Sequence, residues 1–509
     1  MASATITVDP ADQVAPVHRR LFGAFVEHLG RCVYGGIYEP GHPAATPEGF
    51  RQDVIDLVRE LGTTTIRYPG GNFVSGYCWE DGIGPRDRRP RRLDPAWHSI
   101  ETNEIGVDEF AAWCRLTGHE LMLAVNLGTR GVLDAIRLQE YVNHPGGTAL
   151  SDARAANGSP EPYGVTMWCL GNEMDAPWQL GHMSADDYGK LAYRTAAAMR
   201  QLEPGLELVV CGSSGSQMPT FGEWERVVLE HCYDVVDYVS CHAYYEIRDH
   251  DLGTFLASSL DMARFIATVA TTADHIKAKR RTDKTINLSF DEWNVWYVDE
   301  HMAATQTPGG WEIAPRALED VYTLADAVVV GNLLITLLQH ADRVTSASLA
   351  QLVNAIAPIR TEPGGPAWRQ TTFHPFAHTS RLARGVVLAT RVDCGTYANA
   401  TYGEVPLVDA VVTHDEATGR SALFVVNRDT AQATTVDLDV ARLGVTSVLE
   451  AVTLSDDDPF AVNTAEQPDR VVPRPNPTAH LSPGGRLSVT LPPLSWTAVS
   501  LLAASDKEA

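Results

Sequence analysis

Between about residue 20 and residue 370 the chain alternates between short apolar runs and longer helix-patterned stretches. The strand-like runs are Phe22–Glu27, Thr64–Tyr68, Glu120–Asn126, Val165–Asn172, Leu206–Gly212, Tyr238–Ala243, Ile286–Asp291 and a shorter one at Ser346–Leu349. Helical patterns fall between them, at Phe50–Leu61, Asp108–Leu116, Ala185–Gln201, Phe255–Ala278 and Pro315–Gln339. Strands that read as unbroken apolar runs are buried on both faces, which is the habit of a parallel sheet covered by helices. Eight strands with intervening helices predict an α/β fold closed into a (β/α)8 barrel, the TIM barrel. An open doubly wound sheet is the other reading, and it is weakened because no GxGxxG or Walker-type loop follows a strand.

The texture changes after about residue 375. Gly385–Arg391, Leu407–Thr413, Ser421–Asn427, Thr434–Leu438 and Leu487–Leu491 are short, β-rich and separated by turn residues, which predicts a β-sandwich. The Pro- and Asp-rich stretch Ser455–Thr478 reads as a long surface loop within it. The alternating segment Ala4–Val8 is expected to join that sandwich from the other end of the chain. The expected division is a strand within 1–15, a catalytic barrel over 16–375 and a sandwich domain over 376–509.

Composition narrows the partners. The formal net charge of −24 argues against nucleic acid or an anionic membrane, both of which need a positive face. The opening MASATITVDPADQV has neither a basic n-region nor an apolar h-region, so no signal peptide is expected. Ala325–Leu338 is apolar but too short to span a bilayer and reads as a buried helix. Eight cysteines lie scattered in or near apolar segments, which fits reduced thiols in a cytoplasmic protein. Cys232 and the pair Cys241-His242 lack any CxxC or HExxH companion, so they read as core residues, and no metal or cofactor is expected.

In a barrel the C-terminal ends of the strands build the active site. Reading those ends gives Glu27, Arg67 with Asn72 beyond it, Asn126, Asn172-Glu173, Ser213, His242 and Tyr244, Glu292 and Gln351. The set is polar and centred on carboxylates, and it contains no serine elbow and no phosphate loop. Two segments stand out, Trp168–Met174 and Ile286–Asn294, each an apolar run ending in glutamate, Glu173 and Glu292. Glycosidic cleavage needs such a pair. One carboxylic acid protonates the leaving oxygen while one carboxylate attacks or stabilises an oxocarbenium-like centre. Arg67 is a charge-assisted partner for Glu292, and the Asn172 amide can bind a sugar hydroxyl.

These residues stand in motifs that resemble the α-L-arabinofuranosidases of glycoside hydrolase family 51, in the large clan of retaining glycosidases with barrel folds. The markers are Phe22–His28, Arg67–Gly76, Trp97–Glu104, Trp168–Asp175, Asp291–Tyr297 and Ala350–Asn354, in order along nearly the whole chain. The resemblance implies that Glu173 is the general acid/base and Glu292 the nucleophile. It implies that Glu27, Asn72, Asn172, Tyr244 and Gln351 hydrogen-bond the arabinofuranose, that Arg67 orients the nucleophile and that Trp97 and Trp296 wall the sugar pocket. It also implies a barrel-plus-sandwich architecture and a homo-oligomer, often a hexamer. Exo-acting, retaining hydrolysis of terminal α-L-arabinofuranosyl residues is the expected activity, with arabino-oligosaccharides or fragments of arabinan or arabinoxylan as substrates. An endo-glucanase or xylosidase on the same scaffold, and a carbohydrate-binding protein without catalysis, are the competing readings; the presence of both carboxylates weighs against the second.

Some positions depart from the family pattern. Cys78 stands where asparagine is common, Ala176 replaces a usual glycine, and the loop from Val298 to Pro315 looks variable. His242 and Asn294 read equally as packing residues, and Tyr244 and Tyr245 could simply pack, with substrate contact the favoured reading for Tyr244. The arginine run from Arg86 to Arg92 is expected to be a solvated loop with local acidic partners rather than a phosphate site.

Overall fold

The computed structural model describes residues 2–299, 301 and 310–504. Eight strands form a closed barrel: β1 (Gly23–Phe25), β2 (Thr65–Tyr68), β3 (Glu120–Ala124), β4 (Met167–Leu170), β5 (Glu207–Val210), β6 (Tyr238–Tyr245), β7 (Asn287–Val295) and β8 (Val344–Leu349). Each neighbouring pair is parallel, and β8 pairs with β1 to close the ring. The TIM-barrel expectation is met and the open sheet is excluded. Alternate residues divide the strands. Met122 and Ala124 of β3, with Met167 and Cys169 of β4, pack together with Val209 and Tyr238. The intervening Leu121, Leu123, Trp168 and Leu170 join the larger apolar cluster that includes the helices.

The two long strands are irregular. β6 shifts register between Ser240 and His242, and β7 shifts between Leu288 and Ser289 and again between Phe290 and Trp293. Such bulges re-aim side chains and are frequent beside active sites. Both strands also run past their expected ends, to Tyr245 and Val295.

The helix expected over Pro315–Gln339 begins only at Leu324. Thr323 Oγ1 accepts from the Asp326 amide, and the Asp326 carboxylate accepts from the Thr323 amide. This reciprocal cap fixes the start, so residues 315–322 are loop. The helix is buried on every side from Leu324 to Leu338, because it lies between the barrel and the C-terminal sheets. Gly331 allows the contact: a Cβ there would come within 2.3 Å of the Trp496 ring. Arg428 crosses the same junction, donating to Leu256 O, Ser259 Oγ and Asn332 Oδ1 on the barrel's helices and to Asp409 of the C-terminal sheet. The pattern over Phe255–Ala278 resolves into Leu252–Leu256 and Ser258–Arg280. Helices Val132–Asn143, Ala149–Ala156 and Glu223–Cys232 are additional, and each buries polar side chains, such as Gln139, Arg154 and Glu225, among its inward residues.

Beyond the barrel a five-stranded and a seven-stranded sheet enclose a separate apolar core. Ala2–Thr7 lies in the first sheet between Arg391–Asp393 and Thr434–Asp439, and Gln13–Pro16 edges the second against Val386–Leu388. The helix Phe373–Leu382 carries the chain from one part to the other, its Phe376 ring packing against Phe22 and Trp293 of the barrel side. No helix among the described residues is long and apolar enough to cross a membrane. Of the loop read as variable at 298–315, residues 300 and 302–309 lie outside the described residues.

Candidate active site

The strand ends deliver the expected residues to one connected web. Glu292 lies within β7, its side chain nearly inaccessible to solvent. Its Oε1 accepts from Arg67 Nη1 of β2 at 2.8 Å, and its Oε2 accepts from the Tyr244 hydroxyl of β6 at 2.7 Å. Arg67 also donates through Nη2 to Asn172 Oδ1, and Asn172 Nδ2 donates to Asn72 Oδ1 at 3.3 Å. Both halves of the Asn172 amide are therefore engaged, so it links Arg67 to the loop after β2. Glu173 follows, just past β4, with φ at 43°. A non-glycine residue in the left-handed region is strained, and such strain gathers at functional sites.

A second group surrounds Glu27, which sits just past β1. Its Oε1 accepts from the Phe73 amide at 2.9 Å and from Trp97 Nε1 at 2.6 Å, and its Oε2 accepts from Gln351 Nε2 at 3.2 Å. The Glu27 amide returns a hydrogen bond to Gln351 Oε1 at 3.1 Å. Gly71, at φ 63°, permits the close approach of backbone and carboxylate; a Cβ there would fall 2.2 Å from the Glu27 carboxyl carbon. Burial pushes the Glu27 carboxyl well above the usual carboxylate range, against the lowering donors Phe73 and Trp97. Trp296, one residue past β7, meets Tyr244 edge-on with ring centroids 5.0 Å apart.

Three further residues belong to the site. His242 Nδ1 lies 2.9 Å from Glu173 Oε1 and 3.6 Å from Glu292 Oε2, and its Nε2 lies 3.1 Å from Asp291 Oδ1. Burial pulls the imidazole down, but the Glu292, Asp291 and Glu173 carboxylates overcome it and hold the ring at about 10. Both ring nitrogens therefore donate at neutral pH, Nδ1 to Glu173 and Nε2 to Asp291, with Glu292 3.6 Å from Nδ1. Trp178 Nε1 donates to the other Glu173 oxygen at 2.9 Å, with half its surface in solvent. His242 is among the strand ends read from the sequence: it precedes Tyr244 by two on the same strand and shares its face. Asp291 is not, because neighbours in a regular strand point to opposite faces. The β7 irregularity between Phe290 and Trp293 lets Asp291 and Glu292 both reach His242. Trp178 stands outside every strand and carries no periodic signal.

The remaining candidates are structural. Asn126 holds the following loop through Thr129 and Tyr77 O, and Asn294 donates to Ala350 O and Ile356 O. Tyr245 donates to Asp261, and the Ser213 amide donates to Glu225. Arg89 and Arg92 pair with Glu109 and Asp81, the local acidic partners expected of that run.

One oxygen each of Glu173 and Glu292 and a nitrogen of His242 lie within 4.8 Å of one another, close enough to hold a metal ion. A protonated His242 opposes that use, since a ligating nitrogen must give up its proton.

Comparison with known proteins settles what this site belongs to. Residues 57–254 match the model of the α-L-arabinofuranosidase 1 domain, and residues 291–495 that of the α-L-arabinofuranosidase C-terminal domain. An intracellular exo-α-(1→5)-L-arabinofuranosidase of Streptomyces lividans is 56% identical over 501 residues, covering 98% of this chain and 75% of its own. An exo-α-(1→6)-L-arabinofuranosidase of Bifidobacterium longum is 58% identical over 503 residues, covering 97% and 96%. The solved structure of a family 51 α-L-arabinofuranosidase from Bifidobacterium longum superposes with a TM-score of 0.95 at 52% identity, covering 98% of this chain and all of that one. The chain belongs to the family 51 α-L-arabinofuranosidases. Where two carboxylates flank a glycosidic bond, their spacing decides whether the anomeric configuration is kept or inverted.

Proposed function

We propose that this exo-α-L-arabinofuranosidase removes terminal non-reducing α-L-arabinofuranosyl residues by double displacement, with Glu292 as nucleophile and Glu173 as general acid/base. The observation that carries the reading is the spacing: an oxygen of each carboxylate lies within 4.8 Å of the other. Inverting glycosidases keep their carboxyl groups roughly 6.5–9.5 Å apart to seat a water between them.

In the first step the Glu173 carboxyl gives its proton to the leaving oxygen. The bond from that oxygen to the anomeric carbon breaks as a Glu292 oxygen bonds to that carbon. Arg67 and Tyr244 fix the two Glu292 oxygens and hold the carboxylate against rotation. In the second step the Glu173 carboxylate takes a proton from water, the water oxygen bonds to the anomeric carbon, and Glu292 leaves. His242 donates to Glu173 and lies 3.6 Å from Glu292, so its positive charge faces both carboxylates in the resting enzyme. Glu27, Gln351, Asn72 and Asn172 present acceptors and amides to the sugar hydroxyls, and Trp97 and Trp296 supply apolar walls. No metal or cofactor takes part in this scheme.

Arabino-oligosaccharides and fragments of arabinan or arabinoxylan are the proposed substrates. The reading includes a reducing intracellular setting, supported by the relatives' names and by eight unpaired cysteines, and assembly as a homo-oligomer. The test is release of monosaccharide from aryl α-L-arabinofuranosides and from (1→5)- and (1→6)-linked arabinobiosides, with the product anomer followed by NMR. α-Arabinofuranose as first product supports the reading. β-Arabinofuranose first, or a faster fall in polymer viscosity than in terminal residues, overturns it. Light scattering of the purified enzyme checks the assembly.

A further inference from the structure

Trp97 owes its place to a short hairpin, Arg92–Asp94 paired with Ser99–Glu101, whose turn carries the indole to Glu27. The hairpin is anchored at its base. Glu101 Oε2 lies 2.8 Å from His28 Nδ1, Glu101 also accepts from the Tyr34 hydroxyl, and Ile100 N donates to Glu312 O at 2.8 Å. The turn itself is held by His98, whose ring centroid lies 3.9 Å from that of Trp311, and by Asp94. The Asp94 side chain reaches over it, Oδ1 accepting from the Ala96 amide at 3.0 Å. Asp94 is 4% exposed, and its other oxygen, Oδ2, has no hydrogen-bond partner. It borders a cavity of about 180 Å³ that is also lined by Tyr77 and Asn103, whose hydroxyl and side-chain oxygen are likewise buried without partners. Burial pushes the Asp94 carboxyl up to about 6, against the lowering effect of the Ala96 and Trp97 amides. A buried carboxylate without a cation is unfavourable unless a specific contact uses it, and the contact found is with the turn bearing Trp97.

We propose that Asp94 is a positioning residue for the sugar pocket: it holds the 95–97 turn so that Trp97 stands against Glu27 and forms the pocket wall. The proposal rests on the reading of Trp97 as that wall. Asp94 itself contacts neither glutamate of the catalytic pair. Its effect passes through an apolar face and a hydrogen bond that the substrate meets equally before and during bond cleavage. A contact of that kind acts on KM more than on kcat.

The test uses the full enzyme and 4-nitrophenyl α-L-arabinofuranoside. Asp94→Ala should raise KM about tenfold with kcat changed less than about twofold, the worth of one charge-assisted backbone hydrogen bond. Asp94→Asn keeps a side-chain oxygen at the turn and should bring KM back to within about threefold of the parent, as expected for a neutral bond in place of a charged one. Trp97→Ala should raise KM by itself, and adding Asp94→Ala to it should change nothing further, since coupled residues are not additive. If Trp97→Ala leaves KM unchanged, the wall reading fails and the Asp94 role fails with it. If Trp97→Ala raises KM while Asp94→Ala does not, or if the two effects simply add, the Asp94 role alone is overturned. A fall in kcat as large as the rise in KM, unrescued by Asp94→Asn, is the signature of general damage and also overturns it.

Discussion

The two ends of the barrel use the same residue types to opposite purposes. At the bottom, Arg20 lies before β1 and donates to Glu120, the first residue of β3, and to Glu207, the first residue of β5, with contacts of 2.8 Å to each. Tyr238, the first residue of β6, donates to Glu207 as well. The cation is shared between two carboxylates and partly wetted, its side chain 22% exposed and theirs 34% and 35%. At the top, Arg67 and protonated His242 stand among Asp291, Glu292 and Glu173, all with side chains at most 8% exposed. Three carboxylates are set against two cations there, in a dry site where charge interacts strongly. The bottom is a closed tie between strand starts. Each cluster has one carboxylate more than it has cations, so burial is what separates them: the bottom leaves its charges partly wetted and the top keeps them from water. Position along the strand, more than residue type, separates a staple from a catalyst.

The comparison breaks most visibly at the nucleophile. Glu292→Ala should lower kcat/KM on aryl arabinofuranosides by about 10⁴-fold or more, because no covalent intermediate can form. Glu120→Ala, an arginine-paired glutamate at the other end, should leave kcat/KM within about twofold, as expected of a barrel bottom that serves stability. Comparable losses in the two variants would refute the division between top and bottom.

Glu173→Ala should show a smaller and leaving-group-dependent loss, about 10²- to 10⁴-fold for poor leaving groups and far less for activated aryl glycosides. Added azide discriminates the roles. In Glu173→Ala, azide would attack the intermediate, so two inversions should give the α-arabinofuranosyl azide. In Glu292→Ala, azide replaces the nucleophile, so one inversion should give the β-azide. Chromatography and NMR of the azide products check this; interchanged anomers would exchange the two roles.

Much of this was legible in the sequence because the barrel writes its own pattern. Buried parallel strands appear as apolar runs, and residues such as Glu27, Arg67, Glu292 and Gln351 sit at or near the ends of those runs. The illegible parts have physical causes. Bulges in β6 and β7 alter which residues face inward, so Asp291 reaches His242 although a regular strand would turn it away. The cap at Thr323 moved a helix start that hydrophobic pattern alone could not place. Asp94 ends a three-residue strand and Trp178 lies in a turn, both too short for any period to show where the side chain points.

Arg67 sharpens the comparison from the middle of the scale. Its guanidinium holds Glu292 Oε1 and Asn172 Oδ1 at once, a fork that a lysine could not copy. Arg67→Lys should cost about 10²-fold in kcat/KM, chiefly in kcat, since a misplaced reacting group is felt in the transition state. Steady-state kinetics decide it, and an unchanged kcat would reduce Arg67 to a packing role.

The smallest effects concern stability, and there the two ends should differ in pH dependence. His242 is raised in the fold from 6.5 to about 10. A group raised on folding contributes stability that is fully present below its unfolded value and is lost as pH rises through its folded value. The His242 contribution should therefore be complete below 6.5 and decline toward 10, by at most about 1.4 kcal/mol per pH unit for one proton. His242→Gln removes the titrating group, so the gap between parent and variant should narrow steadily from pH 7 to pH 10. Arg20→Met at the barrel bottom should instead lower stability by a nearly constant amount over that range, about 1–2 kcal/mol for a partly wetted tie, because arginine keeps its proton throughout. Chemical denaturation of parent and both variants at pH 7, 8, 9 and 10 measures the two gaps, and titrating groups remote from the substituted residue cancel in the differences. A His242→Gln gap as flat as that of Arg20→Met would mean that the imidazole is not held protonated, and the contacts with Glu173 and Asp291 would then have to be made by a neutral ring.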